Sequence, residues 1–324
     1  MTTLHVLRRR FLAFAALVAA VATFSAPARP EGPYSRSAPA RRMMVDVLDV
    51  GQGDAILIRS PEGKAALVDA GPTREGALQA LRQRGVESID MVVVTHHHLD
   101  HHGGMESVIR EFHPRYFLAT NSPHTTQSWL RLLETVKAEG ITAVAPTEKP
   151  RRSELGSTTI TILPQPPYDP EDENDNSIGL RVQHGGFSML MTGDSEPLSR
   201  KWWRGECPDL LRDCSVLKLA HHGSHNGTDA DWLDLVRPEL AVVSVGSGNS
   251  YGHPHPETLD LLKRYRIPLV RTDEWGTITL VSDGDTWNLV SSGIARRNAD
   301  RKGSVVAAGD SRRSSSSRPP SRRR

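Results

Sequence analysis

The segment Thr95-His96-His97-His98-Leu99-Asp100-His101-His102-Gly103-Gly104 constrains this chain more than any other. Four ligand-type side chains, His96, His98, Asp100 and His101, crowd together, with His97 and His102 beside them. They follow a mostly apolar run from Ile89 to Thr95, which suits a strand buried on both faces. A loop leaving such a strand can aim several side chains into one cavity. Imidazole nitrogen and carboxylate oxygen are the donors that zinc and related divalent ions take. A merely His-rich surface loop has no need of an aspartate inside the run, or of a Gly-Gly pair that lets backbones approach closely. Two later segments repeat the arrangement. Met189-Leu190-Met191-Thr192-Gly193-Asp194 ends an apolar strand with a carboxylate, and Leu217-Lys218-Leu219-Ala220-His221-His222-Gly223-Ser224 ends another with two histidines. Three strand ends meeting on one edge would make one site. Asp194 is the candidate to bridge two ions.

The rest of the pattern is that of a folded domain with unlike ends. Of 324 residues, 37% are apolar, and the deficit lies at the two ends. Arg8-Arg9-Arg10 precedes an apolar run from Phe11 to Phe24, and Ala26-Pro27-Ala28 supplies small residues for cleavage. A charged start, a short apolar stretch and an A-x-A end read as a signal peptide over 1–28. Arg8-Arg9-Arg10-Phe11-Leu12 also matches a twin-arginine export pattern. The run is short of the roughly 20 residues of a membrane span, the alternative being an uncleaved anchor. The chain is therefore expected to be secreted or periplasmic. Residues 29–42 read as a linker and 43–292 as the catalytic domain. Residues 293–324, rich in Arg and Ser, read as a disordered basic tail. That tail carries most of the excess cation of a chain whose net charge is only +2, so the charge is no nucleic-acid footprint of the domain. Cys207 and Cys214 are no disulfide framework; a local bridge and two free thiols are both open.

Within the domain, strands are expected over 43–50, 55–59 and 65–69, forming an antiparallel meander. Helices follow over 75–84, 104–112 and 127–139. Strands over 157–163, 177–184, 187–192 and 216–220 come next, then helix 229–236, strand 240–245, helix 256–264, and strands 269–271, 277–281 and 286–290. Strands, then helix–strand pairs, then the same again, suggest two face-to-face sheets with helices outside.

His96-x-His98-x-Asp100-His101 resembles the signature of the metallo-β-lactamase fold superfamily. Within it, the chain is similar to the ComEC/Rec2-type competence branch. The resemblance runs through Leu48-Asp49-Val50-Gly51-Gln52-Gly53-Asp54-Ala55, Leu67-Val68-Asp69-Ala70-Gly71, Asn176-Ser177, Thr192-Gly193-Asp194 and His221-His222-Gly223-Ser224. It continues through Asn249-Ser250-Tyr251-Gly252-His253-Pro254 and Arg271-Thr272-Asp273-Glu274-Trp275-Gly276, and covers about residues 43–292. It implies an α/β fold, the four-layer αββα sandwich of the metallo-β-lactamase type, and two divalent ions, Zn2+ or alternatively Mn2+. His96 and His98 would hold one ion, Asp100 and His101 the other, and Asp194 both. A late histidine would join the second ion: His221, with His222 as the alternative. Many members of the superfamily carry a further histidine where this chain has Asp175-Asn176-Ser177, with His184 as a substitute, so the first ion is expected to be held more weakly. Many competence-type relatives have an aspartate at the position of His98, which makes this first site more zinc-like.

Asp100, His253 and His222 are the catalytic candidates. A divalent ion lowers the pKa of water toward about 7. Asp100 would help orient that water. His253, or His255 in its place, would protonate the leaving group. Lys218 either faces a substrate phosphate or is a strand-edge lysine. Asn176 and Ser177 either line the site or hold a turn. Asp54 and Asp69 lie at strand ends nearby, and Asp69 would brace the His loop. The expected reaction is hydrolysis of a phosphodiester, in extracellular DNA or a wall-polymer ester, with no channel partner. Hydrolysis of a β-lactam or another ester or amide is a second reading, and a metal-binding module without turnover a third.

Overall fold

The computed structural model describes residues 42–291. The segments read as a signal peptide and a basic tail, and all of the expected linker but Arg42, lie outside the described residues. The described residues begin with three antiparallel strands, β1 (Met43–Val47), β2 (Ile56–Arg59) and β3 (Ala65–Val68). Then come helix α1 (Gly76–Gln83), β4 (Met91–Val94), the short α2 (Leu99–His102), α3 (Met105–Phe112), β5 (Tyr116–Ala119), α4 (Gln127–Ala138) and β6 (Thr142–Val144). Strands β3 to β6 run parallel. The second half opens with β7 (Arg151–Leu155), β8 (Thr158–Ile162), β9 (Leu180–His184) and β10 (Phe187–Met191), all antiparallel neighbours. It continues with α5 (Pro197–Glu206), α6 (Pro208–Leu211), β11 (Val216–Lys218), α7 (Ala230–Val236), β12 (Leu240–Val243), α8 (Pro256–Tyr265) and β13 (Leu269–Arg271). Strands β10 to β13 are parallel. After the short α9 (Thr272–Trp275), β14 (Ile278–Ser282) and β15 (Trp287–Ser291) return to the first sheet.

The sheets have orders β15-β14-β1-β2-β3-β4-β5-β6 and β13-β12-β11-β10-β9-β8-β7 among the described residues. Side-chain alternation explains how they stack. Met91 and Val93 of β4 join Met189 and Met191 of β10 in the core between the sheets. Val92 and Val94 turn the other way, onto Ala77 and Leu81 of α1, Ile109 of α3 and Trp129 of α4. Leu190 of β10 and Ala241 and Val243 of β12 meet Trp203 of α5, Trp232 of α7 and Leu262 of α8. Three apolar layers thus separate four layers of structure, the αββα sandwich that the sequence led us to expect. The central strands are apolar on both faces because both are covered.

The topology also decides where a site can form. Loops that follow β3, β4, β10, β11 and β12 leave the C-terminal ends of strands drawn from both sheets. Ile178 N–H donates to the Thr95 carbonyl oxygen across them.

Candidate metal centre

Asp69 follows β3 with a left-handed backbone (φ 57°). Its carboxylate accepts hydrogen bonds from Thr95 N–H, Thr95 Oγ1 and His101 Nδ1, each 2.8 Å long. It therefore braces the loop after β4, and leaves His101 Nε2 pointing at Asp194 Oδ2, 3.2 Å away. Gly103 and Gly104 let that loop close: a Cβ on either would lie 2.2 Å from the Pro72 carbonyl oxygen or 2.4 Å from that of Ala70. Asp194 follows β10 through Gly193, and its N–H donates to Ser177 Oγ. Ser177 thus positions the site, whereas Asn176 ties its own loop, donating to the carbonyls of Asp169 and Asp172.

After β11 the backbone does something rare. His221 (φ 49°, ψ 48°) and His222 (φ 52°, ψ 25°) are both left-handed. Such strain in consecutive non-glycine residues marks a place where the fold holds side chains in set directions. The two rings diverge. His222 Nδ1 donates to the Ser244 carbonyl oxygen at 3.0 Å, which sends Nε2 to within 3.2 Å of Asp100 Oδ2 and 3.4 Å of Asp194 Oδ2. His221 lines the cavity, but its Nδ1 is taken up by Glu196 Oε1 at 3.1 Å. The late position expected of His221 is therefore occupied by His222.

Asp100, His101, Asp194 and His222 offer ligand atoms that lie within 4.8 Å of one another. Asp54 Oδ1, His101 Nε2 and Asp194 Oδ1 are buried and make no well-aligned hydrogen bond, although His101 Nε2 faces Asp194 Oδ2. Unmet donors and acceptors converging on one point, from a His2Asp2 set, fit a divalent ion. His96 and His98 also meet, Nε2 to Nδ1 at 3.1 Å, but no further ligand completes a group with them among the described residues. His184 does not substitute. It closes β9 at the end opposite Asp194, with its ring on the Ser157 carbonyl oxygen.

Beneath the four residues lies a cation. Lys218 is fully buried and pairs with Asp54, its Nζ also donating to the Gly193 carbonyl oxygen. It is neither at a strand edge nor facing a substrate, because β11 is internal to its sheet. The charges couple tightly. Burial opposes the charged form of His101, yet the Asp194 and Asp69 carboxylates hold its pKa well above the usual value. Burial likewise opposes the charge on His222, but Asp194, Asp100 and Asp54 push it up to about 9. Burial would raise Asp100; hydrogen bonding from His222 and the charge of His101 bring it down to about 2. Without metal, protons on His101 and His222 neutralise the carboxylates. A divalent ion would take their place.

The cavity above has a volume of about 320 Å³ and is lined by Gln52, His98, Leu99, Asp100, Asp194, His221, His222, Tyr251 and His253. The Asn249 side chain grips the His253 backbone on both sides, accepting from its N–H and donating to its carbonyl oxygen. Burial, then the neighbouring His221 and His222, take the pKa of His253 down to about 4. At neutral pH it is an uncharged imidazole. In that form it can donate a hydrogen bond to substrate. His255 lies outside the cavity lining, its Nδ1 3.0 Å from that of His225. Sequence reasoning missed Gln52 and Tyr251, which carry no ligand signal, and Glu196, whose role depends on a contact 25 residues away.

A profile described as the Metallo-beta-lactamase superfamily matches residues 48–247. The chain is 27% identical over 253 residues to ComE operon protein 3 of Bacillus subtilis (strain 168), covering 72% of this chain and 32% of that protein. It is 28% identical over 253 residues to Competence protein ComA of Neisseria gonorrhoeae, covering 77% and 33%. This chain thus spans about a third of the length of these relatives. Among solved structures, the metallo-beta-lactamase fold protein YhfI from Bacillus subtilis superposes with a TM-score of 0.50 at 13% identity, over 74% of this chain and 100% of that one. The chain belongs to the metallo-β-lactamase superfamily, and within it resembles the hydrolase domain of ComEC-type competence proteins.

Proposed function

We propose that this chain is an exported phosphodiesterase that works with zinc. One observation carries the reading: Asp100, His101, Asp194 and His222 converge at the floor of a cavity, with buried ligand atoms of His101 and Asp194 left without a well-aligned hydrogen bond. These four would hold one ion, and His96 and His98, which meet without a further ligand grouped beside them, a second and weaker one. When bound, divalent metal would lower the pKa of a water molecule and take up negative charge developing on the substrate. The protein groups do the rest. Asp100 is one-third exposed at its side chain, the most open of the four, and would orient the attacking water. His253 N–H would donate to a phosphoryl oxygen, held in place by Asn249. Burial opposes the charge of Asp54 and Asp194, but Lys218 keeps Asp54 ionised, and His101 and His222, with a smaller part from Lys218, keep Asp194 so.

The competence relatives favour a phosphodiester substrate, in extracellular DNA or a wall-polymer ester. The Arg-Arg-Arg segment and the apolar run after it favour export. Purified protein with added Zn2+ or Mn2+ would be assayed on bis-p-nitrophenyl phosphate, linear DNA and nitrocefin. Hydrolysis of the first two, lost in Asp194→Ala, is the expected result. Turnover of nitrocefin alone would instead identify a β-lactam or amide hydrolase, and bound metal without any turnover a binding module. Export would be tested by Arg8→Lys with Arg9→Lys: retention in the cytoplasm supports the twin-arginine route, and continued export points to the general secretory one.

A further inference from the structure

His97 sits between two ligand candidates, yet its side chain leaves the cavity altogether. Its ring is buried against Trp129, with centroids 4.2 Å apart, and stacks on His124 at 4.8 Å with planes inclined by 29°. Glu173 approaches from a third segment. Its Oε1 lies 2.8 Å from His97 Nδ1 and accepts from the His97 backbone N–H at 3.2 Å. We propose that His97, His124 and Glu173 form a separate divalent-metal site of zinc type, tying together three loops around the sandwich edge.

Two independent observations support this. The three residues bring ligand atoms within 4.8 Å of one another, and none of them lines the catalytic cavity. In addition, the Nε2 atoms of His97 and His124 are buried and have no hydrogen-bond partner among the described residues. An ion pair between His97 and Glu173 would explain the Nδ1 contact. It leaves both Nε2 atoms unexplained, since buried polar groups are normally paired. A His2Glu set with one position open to water is a zinc arrangement. Tetrahedral zinc with bonds of about 2.0–2.2 Å separates its ligand atoms by about 3.3–3.6 Å, so the three side chains need to draw together by at most a little over about 1 Å. The segments are well placed to do so. His124 belongs to residues 120–126, between β5 and α4, and Glu173 to the connection between β8 and β9. His97 itself is one residue from His96 and His98. An ion here would fix the loop that carries the catalytic ligands without entering the reaction.

The test is a zinc titration of the full protein by calorimetry, with metal content checked by mass spectrometry. Wild type should bind one more equivalent of Zn2+ than His124→Ala or Glu173→Gln, both confirmed as folded by circular dichroism. Asp194→Asn should weaken binding at the cavity group and keep the additional equivalent. Identical stoichiometry and affinity in wild type and both loop variants would overturn the proposal. A gain of signal gives a second reading that needs no loss of binding. His124→Cys loaded with Co2+ should show a sulfur-to-cobalt absorption band in the near ultraviolet that wild type lacks, because Cys207 and Cys214 lie elsewhere in a buried apolar cluster. A folded His124→Cys protein without that band would also overturn it.

Discussion

Asp69 does not line the cavity, yet it decides which nitrogen of His101 does. By accepting the Nδ1 proton it leaves Nε2 free for an ion, and the Ser244 carbonyl does the same for His222. Partners of this kind commonly change metal affinity by about 10–100-fold when removed. Asp69→Asn should therefore weaken zinc binding by roughly that factor, measured by competition with a chromogenic chelator. The diverging pair after β11 gives a sharper contrast. His222→Ala should lose the ion of the four-residue group, while His221→Ala should retain it and lose the tether to Glu196; metal analysis after dialysis separates the two. The charges predict a pH dependence with a definite sign. His222, pushed up to about 9, is protonated at neutral pH in the metal-free protein. Zinc must displace that proton and the one on His101, so affinity should rise about a hundredfold per pH unit below roughly pH 9 and less steeply above it. Calorimetry in buffers of different ionisation enthalpy would count the protons released at pH 7. The His loop, Asp194 and the brace at Asp69 were all legible in the sequence, since each sits at the end of an apolar strand. The choice between His221 and His222 was not. It depends on two left-handed residues in succession, and adjacent identical side chains give no hint of which ring the backbone turns inward.

Elements were legible where both faces of a strand are buried, or where a helix carries a plain apolar stripe. They were not legible where tertiary contacts do the work. Strand β6 exposes Thr142 and Ala143, and β7 begins with two exposed arginines. Both are edge strands, short or charged on the outside as edges tend to be. Strand β5 is apolar but only four residues long, and lies between two loops rich in polar residues. Helix α5 starts at Pro197 with no capping side chain of its own. Its cap comes from 21 to 24 positions earlier in the chain. The Asp175 carboxylate accepts from Glu196 N–H, Leu198 N–H, Ser199 N–H and the Ser199 hydroxyl. Asp175 also lies just before Ser177, the partner of Asp194, so a cap and a ligand share one support. Asp175→Ala should cost about 1–2 kcal/mol, the usual worth of a helix cap. For a domain of this size that lowers the melting temperature by roughly 2–8 °C. Differential scanning calorimetry would measure it, and a melting curve unchanged from wild type would deny the cap its role.

For the molecule as a whole, the thiols test the compactness of the second helical layer. Cys207 and Cys214 are free and buried. Burial, then the charge of Glu206, pushes the Cys207 thiol up to about 11. Burial pushes Cys214 up to about 12 against the opposing charge of Arg181. Neither is a thiolate at pH 8, so iodoacetamide should leave both unmodified in the native protein and label both in guanidinium chloride, as read by intact mass. A disulfide between them would instead give a mass unchanged in either state until a reductant is added. The convergence of strand ends from both sheets has one more consequence. An ion held by residues 100, 194 and 222 cannot be captured by either half of the chain alone. Metal capture therefore reports that the two halves of the domain have come together, and a loaded site would serve as a certificate that the fold is complete.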